Sequence, residues 1–188
     1  MDIVTRVKNI LLDPRGEWPK IEREPGDAGS LFKNYVAIVA AIPPVCTFIG
    51  TTLIGIHGFR VGILAGLIHA IVSYLLTFVG VYVAALVIDF LAQTFGAQRN
   101  FANAMRVACY APTAAWVVGV FHLIPILGVL AILGLYSVYL LYTGIAALMR
   151  PPADKAIVYT VVAILCMIVI WFVIAAIPAM LIGGALLM

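Results

Sequence analysis

Charged residues are the scarcest class in this chain: 10% of its 188 positions, against 65% hydrophobic ones. Soluble domains run about half apolar and about a quarter charged, so no water-facing surface can be built from this composition. The apolar excess makes lipid the surrounding solvent, and the length allows one domain. Cysteine is scarce too. Cys46, Cys109 and Cys166 sit in separate apolar runs with no CxxC, which excludes a disulfide framework or a zinc ribbon. They read as small buried hydrophobes. No continuous apolar run opens the chain, so no cleavable signal peptide is expected. Catalytic signatures are missing as well: no Gly-rich phosphate loop, no HExxH, no GxSxG and no facing pair of carboxylates. Asp13 and Glu17 are close in sequence, but a solvated charged face explains them. A non-enzyme without a cofactor is expected.

The few charges are unevenly placed. Six of the eight acids and six of the eleven bases fall in residues 1–33. A head of mixed sign with no basic stripe excludes nucleic acid as a partner. Within it, Ile3, Val4, Val7, Ile10 and Leu11 recur at helical spacing, with Asp2, Arg6, Lys8 and Asn9 mostly between them. This is a short amphipathic helix, lying either in the headgroup plane or on the protein's own membrane domain. Asp13-Pro14-Arg15-Gly16 reads as a turn, followed by a second short helix from Glu17. Trp18 suits the membrane interface.

Residues 34–188 form the membrane domain. A spanning helix needs about 20 apolar residues, and the charges bound five spans at about 35–56, 61–91, 101–124, 126–149 and 156–183. The third and fourth come from one uncharged run split at His122-Leu-Ile-Pro125-Ile-Leu-Gly128, a hinge where Pro removes a backbone donor. The predicted fold is an all-α polytopic bundle. With the N-terminus inside, ten of the eleven bases are cytoplasmic and only Arg60 is outside, so the positive-inside bias gives N-in, C-out.

Several stretches then resemble a known family. They are Ile10-Leu-Leu-Asp-Pro-Arg-Gly-Glu-Trp-Pro-Lys-Ile21, Ala40-Ala-Ile-Pro-Pro-Val-Cys-Thr-Phe-Ile-Gly-Thr-Thr52, Tyr110-Ala-Pro-Thr113, Gly134-Leu-Tyr-Ser-Val-Tyr-Leu-Leu-Tyr-Thr-Gly144 and Met149-Arg-Pro-Pro-Ala-Asp-Lys-Ala156. Together they resemble the Yip family of five-helix membrane proteins in its bacterial inner-membrane branch. The resemblance implies a fold and a membrane-organising class of role, with no catalytic residues to transfer. Eukaryotic members act in vesicle traffic and contact prenylated Rab GTPases. Their cytosolic Asp-Leu-Tyr-Gly-Pro motif is absent here, so a Rab-type partner is not carried over.

Polar groups at membrane depth are costly and mark candidate sites. Asp89 and Arg106 lie at similar depth near the cytoplasmic face and are expected to form a structural ion pair. His57, His69 and His122 all fall on the outer side. They are the chain's metal candidates, yet no outer carboxylate assists them, and hydrogen-bonded interfacial histidines are expected instead. His69, Ser73 and Thr77 share one helical face near Gly66 and Gly80, and Gly62-x-x-x-Gly66 follows the same logic. That face is read as intramolecular packing, with homodimerisation or another membrane protein as the alternative partner. Tyr110, Tyr136, Tyr139 and Tyr142 are candidates for a pocket wall or for core aromatics. Pro43-Pro44, Pro112 and Pro178 bend their helices. No acidic or basic residue lies near the midplane of any span, which disfavours an ion-coupled carrier and leaves a lipid or neutral-solute path open. The expected function is non-catalytic organisation of the bilayer or of membrane partners. The alternative is a channel, carrier or lipid-handling protein using the kinked helices and a tyrosine-lined interior.

Overall fold

The computed structural model describes residues 2–25, 27–55 and 60–186, and the described residues are helical with short connections. Two short helices form the head. In α1, Ile3–Leu12, the Asp2 side chain caps the start by accepting from the Thr5 N–H. Asp13 ends α1 and caps α2, Pro14–Arg23, by accepting from the Gly16 N–H at 3.1 Å. The expected turn at Asp13–Gly16 is thus the first helical turn of α2. The reason is local: Asp is a strong N-cap and Pro14 at the next position has the φ a helix needs.

Five longer helices follow. α3, Gly29–Ile54, breaks at Ala40–Ala41 just before Pro43 and Pro44, and contains two π-helical turns. Prolines leave carbonyls of the preceding turn unbonded, and such turns re-accommodate the backbone. α4, Ile63–Thr94, is 32 residues long and uninterrupted. Gly96, at φ 68°, turns the chain after it, a conformation costly for a residue with a Cβ. α5, Phe101–Leu123, is capped by Asn100, loosens at Ala111–Pro112, and ends in a 3₁₀ turn. α6, Ile126–Met149, follows one extended residue, Ile124, so the uncharged run does break at the proline hinge. α7 is Ala156–Leu186 and continues helically through Pro178. α3, α4, α5 and α6 are long and apolar enough to cross a membrane. In α7 the qualifying apolar stretch among the described residues is shorter, Ala156–Phe172.

Successive long helices run in alternate directions. The end of α4, the start of α5, the end of α6 and the start of α7 meet at the head. Gln98 N–H donates to Met149 O at 2.8 Å, Phe95 stacks on Tyr159, and the Tyr159 hydroxyl donates to Ile88 O. At the opposite end, Gly50 lets α3 approach the His122 carbonyl, and Gly66 lets α4 approach Thr52. α5 is the most buried of the four span-length helices and forms the centre of the bundle. Its apolar face is Ala104, Met105, Val107, Ala108 and Cys109.

Candidate functional site: the head junction and an apolar cavity

The head does not lie free. Trp18 is fully buried, its Nε1–H donates to the Thr143 hydroxyl at 3.0 Å, and its ring meets Tyr110 edge-on at 6.4 Å. Gly144 makes this possible, because a Cβ there would stand 2.7 Å from Trp18 Cζ2. Ile10 and Ile21 are buried beside it, and the Tyr136 hydroxyl donates to Leu11 O at 3.0 Å. Of the two positions open to the head helix, contact with the protein's own helices is the one observed. Trp18 is accordingly an anchor in the bundle, not an interface residue in lipid. Val4 and Leu12 remain about 70% and 75% exposed on the outer face of α1.

Burial extends to charge. Arg6 and Glu17 are 4% and 1% exposed and pair at 2.6 Å, while Arg6 also pairs with Glu24 and lies over the Tyr110 ring. Lys20 completes Glu17 at 3.0 Å. A solvated face therefore does not describe Glu17. The Glu17 carboxylate is buried because the α1–α2 hairpin aims Arg6 at it, and a buried charge persists only when paired.

The expected Asp89–Arg106 pair is replaced by another. Asp89 accepts from Arg99 Nε at 2.9 Å, and its second oxygen has no partner among the described residues. Arg106 faces the head instead, donating to Asn103 Oδ1 at 2.9 Å and to the Glu24 carbonyl at 3.1 Å. Similar depth put the two on one level, but the helical phase of α5 turns Arg106 away from α4. Arg99, in the connecting loop, is free to reach back. Asn103 also donates to Leu148 O, and Arg150 pairs with Glu22 at 2.8 Å, tying α6 to the head.

Deeper in the bundle is a cavity of about 830 Å³. His69, Ser73, Thr77 and Gly80 of α4 form one side, facing Pro43, Pro44, Pro112 and Trp116. The small-residue face of α4 thus opens on a cavity over much of its length, while Gly66 packs on Thr52. His69 Nδ1 is buried without a hydrogen-bond partner among the described residues. The tyrosines do not line this space. Tyr110 belongs to the junction, where it packs on Tyr35 at 4.3 Å, and Tyr136 and Tyr139 pack on each other at 5.4 Å. Tyr142 is half-buried outside the cavity. Aliphatic residues, prolines and two tryptophans take their place, and of the four tyrosines Tyr136 has its hydroxyl bonded at the head end.

The remaining histidines do not gather. His122 Nδ1 is 3.0 Å from Gly119 O, His57 lies outside the described residues, and no cluster of three potential metal ligands occurs among the described residues.

Four of the stretches quoted above therefore meet at the head junction: Trp18, Tyr110, Thr143–Gly144 and Met149–Arg150. The Yip1 domain matches residues 8–186, nearly the whole chain. The chain belongs to the Yip1 family. This Yip1-family membrane protein is 28% identical over 166 residues to inner membrane protein YohC of Escherichia coli strain K12, covering 84% of this chain and 85% of the relative. The same protein of Escherichia coli O6:H1 matches equally. No solved structure matches. Two features of this Yip1-family protein escaped the sequence. The Arg6–Glu17 pair needs the α1–α2 hairpin angle, and the Trp18–Gly144 contact joins residues 125 or more apart in sequence. A faint signal existed in Gly144 following Thr143, since glycine in a helix often marks a close approach.

Proposed function

We propose that this protein is a non-catalytic, lipid-handling protein of the bacterial inner membrane, which takes a hydrocarbon chain from the bilayer into its apolar cavity. The observation that carries the reading is the cavity and its mouth. Leu135, Val138, Ile168 and Trp171 border it and are 65%, 42%, 45% and 63% exposed, so the opening gives onto an apolar, lipid-facing surface. Its size falls in the usual range for ligand sites, about 300–1,000 Å³. The space is open at its mouth, so whatever surrounds the protein can enter it and cover the apolar wall. Water fills a cavity only where several polar partners await each molecule, and this wall offers few. Hydrocarbon is the occupant that suits it. His69, Ser73 and Thr77 supply a thin polar strip against which an ester or hydroxyl of a lipid could rest.

The layout that serves this reading has five spans, N-terminus cytoplasmic and C-terminus outside. Alternating helix directions, the length of α7 and the positive-inside bias support it. The name of the E. coli relative supports the inner membrane as the location. The organising role drawn from the family resemblance keeps one supporting observation, the exposed Val4 and Leu12 on α1, which suit contact with a membrane surface.

The test uses Trp116, 8% exposed on the cavity wall, as reporter in a Trp18→Phe/Trp171→Phe background. Lipids spin-labelled along the acyl chain should quench it in liposomes, and Thr77→Phe, which places a ring on the cavity wall, should weaken the quenching. Trp116 emission indifferent to labelled lipid, with Trp171 quenched in the matching single-tryptophan protein, sinks the proposal. A fusion reporter after Met188 active only in the cytoplasm would overturn the five-span layout.

A further inference from the structure

A second cavity, of about 250 Å³, lies between the head and the first turns of α3 and α5, and shares no lining residue with the apolar one. Arg6, Glu24, Ser30, Asn34, Tyr35 and Arg106 supply its polar wall, with Ile3, Ile21 and Leu31 alongside. On that wall two guanidinium groups, Arg6 and Arg106, stand against one carboxylate, Glu24. Glu24 pairs with Arg6, whose other guanidinium nitrogen is held by Glu17. Arg106 has no carboxylate within salt-bridge distance among the described residues. Its contacts are the Asn103 side-chain amide oxygen and the Glu24 backbone carbonyl, which are neutral acceptors. Neutral acceptors satisfy hydrogen bonds but leave the charge in place. A half-buried guanidinium normally finds an anion. Among the described residues, three of its five N–H donors have no acceptor and can serve one. The Asn34 amide lines the same space and has no side-chain hydrogen bond among the described residues.

We propose that this cavity binds a phosphoryl group, with Arg106 as its charge partner and Asn34 as an auxiliary donor. A guanidinium fork matches phosphate oxygens in two-point geometry. The volume exceeds what a lone carboxylate needs and accommodates a phosphate ester. The group comes either from a phospholipid head or from a soluble phosphomonoester, and the apolar Ile3, Ile21 and Leu31 suit the carbons next to a phosphate in either case. Occupancy would bridge the head, through the Glu24 segment, to α3 and α5. Lipid-chain binding in the other cavity is a separate matter, and neither result decides the other.

The test is thermal unfolding of the full chain in a non-ionic detergent. Three probes are compared: inorganic phosphate against chloride at matched ionic strength, short-chain phosphatidic acid, and diacylglycerol of the same chain length. Phosphate-bearing probes should raise the unfolding midpoint while diacylglycerol does not, and Arg106→Gln should weaken apparent binding about tenfold or more. Arg60→Gln, an exposed residue remote from the cavity, should respond as the parent does. Stabilisation by both phosphate-bearing probes assigns a phosphoryl site open to soluble and lipid sources. Stabilisation by phosphatidic acid alone assigns a headgroup, and by inorganic phosphate alone a soluble ester. Should Arg106→Gln not fold, Asn34→Ala, a substitution at an exposed side chain, must weaken binding severalfold. The proposal is overturned if no phosphate-bearing probe stabilises the parent beyond its control. It is equally overturned if the variants that fold respond as the parent does.

Discussion

Gly144 is the position where a single carbon should undo the docking of the head. A Cβ built there stands 2.7, 2.9 and 3.0 Å from three atoms of the Trp18 six-membered ring. Carbon contacts are comfortable at about 3.5–4.0 Å, so Gly144→Ala demands a retreat of about 1 Å. Trp18 cannot easily give it, being fully buried, tied to Thr143 through Nε1–H, and backed by Tyr110. Overpacking of this kind costs about 1–3 kcal/mol. Complete loss of a buried tryptophan costs about 3–5 kcal/mol, which sets the ceiling. The ratio of docked to undocked head should therefore fall about 5- to 150-fold. Trypsin reads that ratio at Lys20 and Arg23, because cleavage inside α2 requires local opening. Trp18 emission, in a Trp116→Phe/Trp171→Phe background, should shift red in parallel. Adding Trp18→Phe removes the offending atoms, so the double variant should recover part of the loss and the two changes should be non-additive. Unchanged proteolysis and emission in Gly144→Ala would refute the packing argument.

A double-mutant cycle on Asp89 should find coupling of up to about 1 kcal/mol with Arg99, which is 57% exposed, and none with Arg106. Arg6→Met leaves Glu17 buried with Lys20 and Asn9 as its remaining partners, and should cost about 3 kcal/mol in chemical unfolding. Glu17→Leu added to it should restore much of the loss. Asp27 caps α3, and the Ser30 backbone N–H holds its carboxyl below the usual carboxylate value. A carboxyl lowered in the folded state stabilises above its unfolded value of about 3.9 and ceases to as pH falls through the folded one. Asp27→Asn should therefore lower the unfolding midpoint at pH 7 and differ progressively less from the parent below pH 4.

Legibility followed the range of the forces involved. The boundaries of α5 and α6 were readable to within a residue, because Pro125 and the flanking charges act on their own neighbourhood. α3 begins earlier than expected, at Gly29, taking Lys33 into the helix, since a long side chain at a helix end can reach back to water. The Asp89 partner was misread because depth in a membrane is a one-dimensional coordinate, and it says nothing about which way a helix is rotated. For the tyrosines the sequence left a pocket wall and core aromatics both open, and packing of Tyr110 on Tyr35 and of Tyr136 on Tyr139 decided for the second, again through helix rotation.

By itself, the sequence determined the solvent and the alternation. With so little charge, gathered in a head, the loops and the helix ends nearest them, the free energy of apolar transfer leaves long apolar helices between those charges. What only the tertiary structure decided is where the head goes and what the interior holds. Trp18 finds Gly144, Arg6 finds Glu17, and the proline-bent helices part to leave a cavity beside His69. Each of these depends on the rotation and tilt of helices against one another, which side-chain packing fixes and hydropathy does not encode.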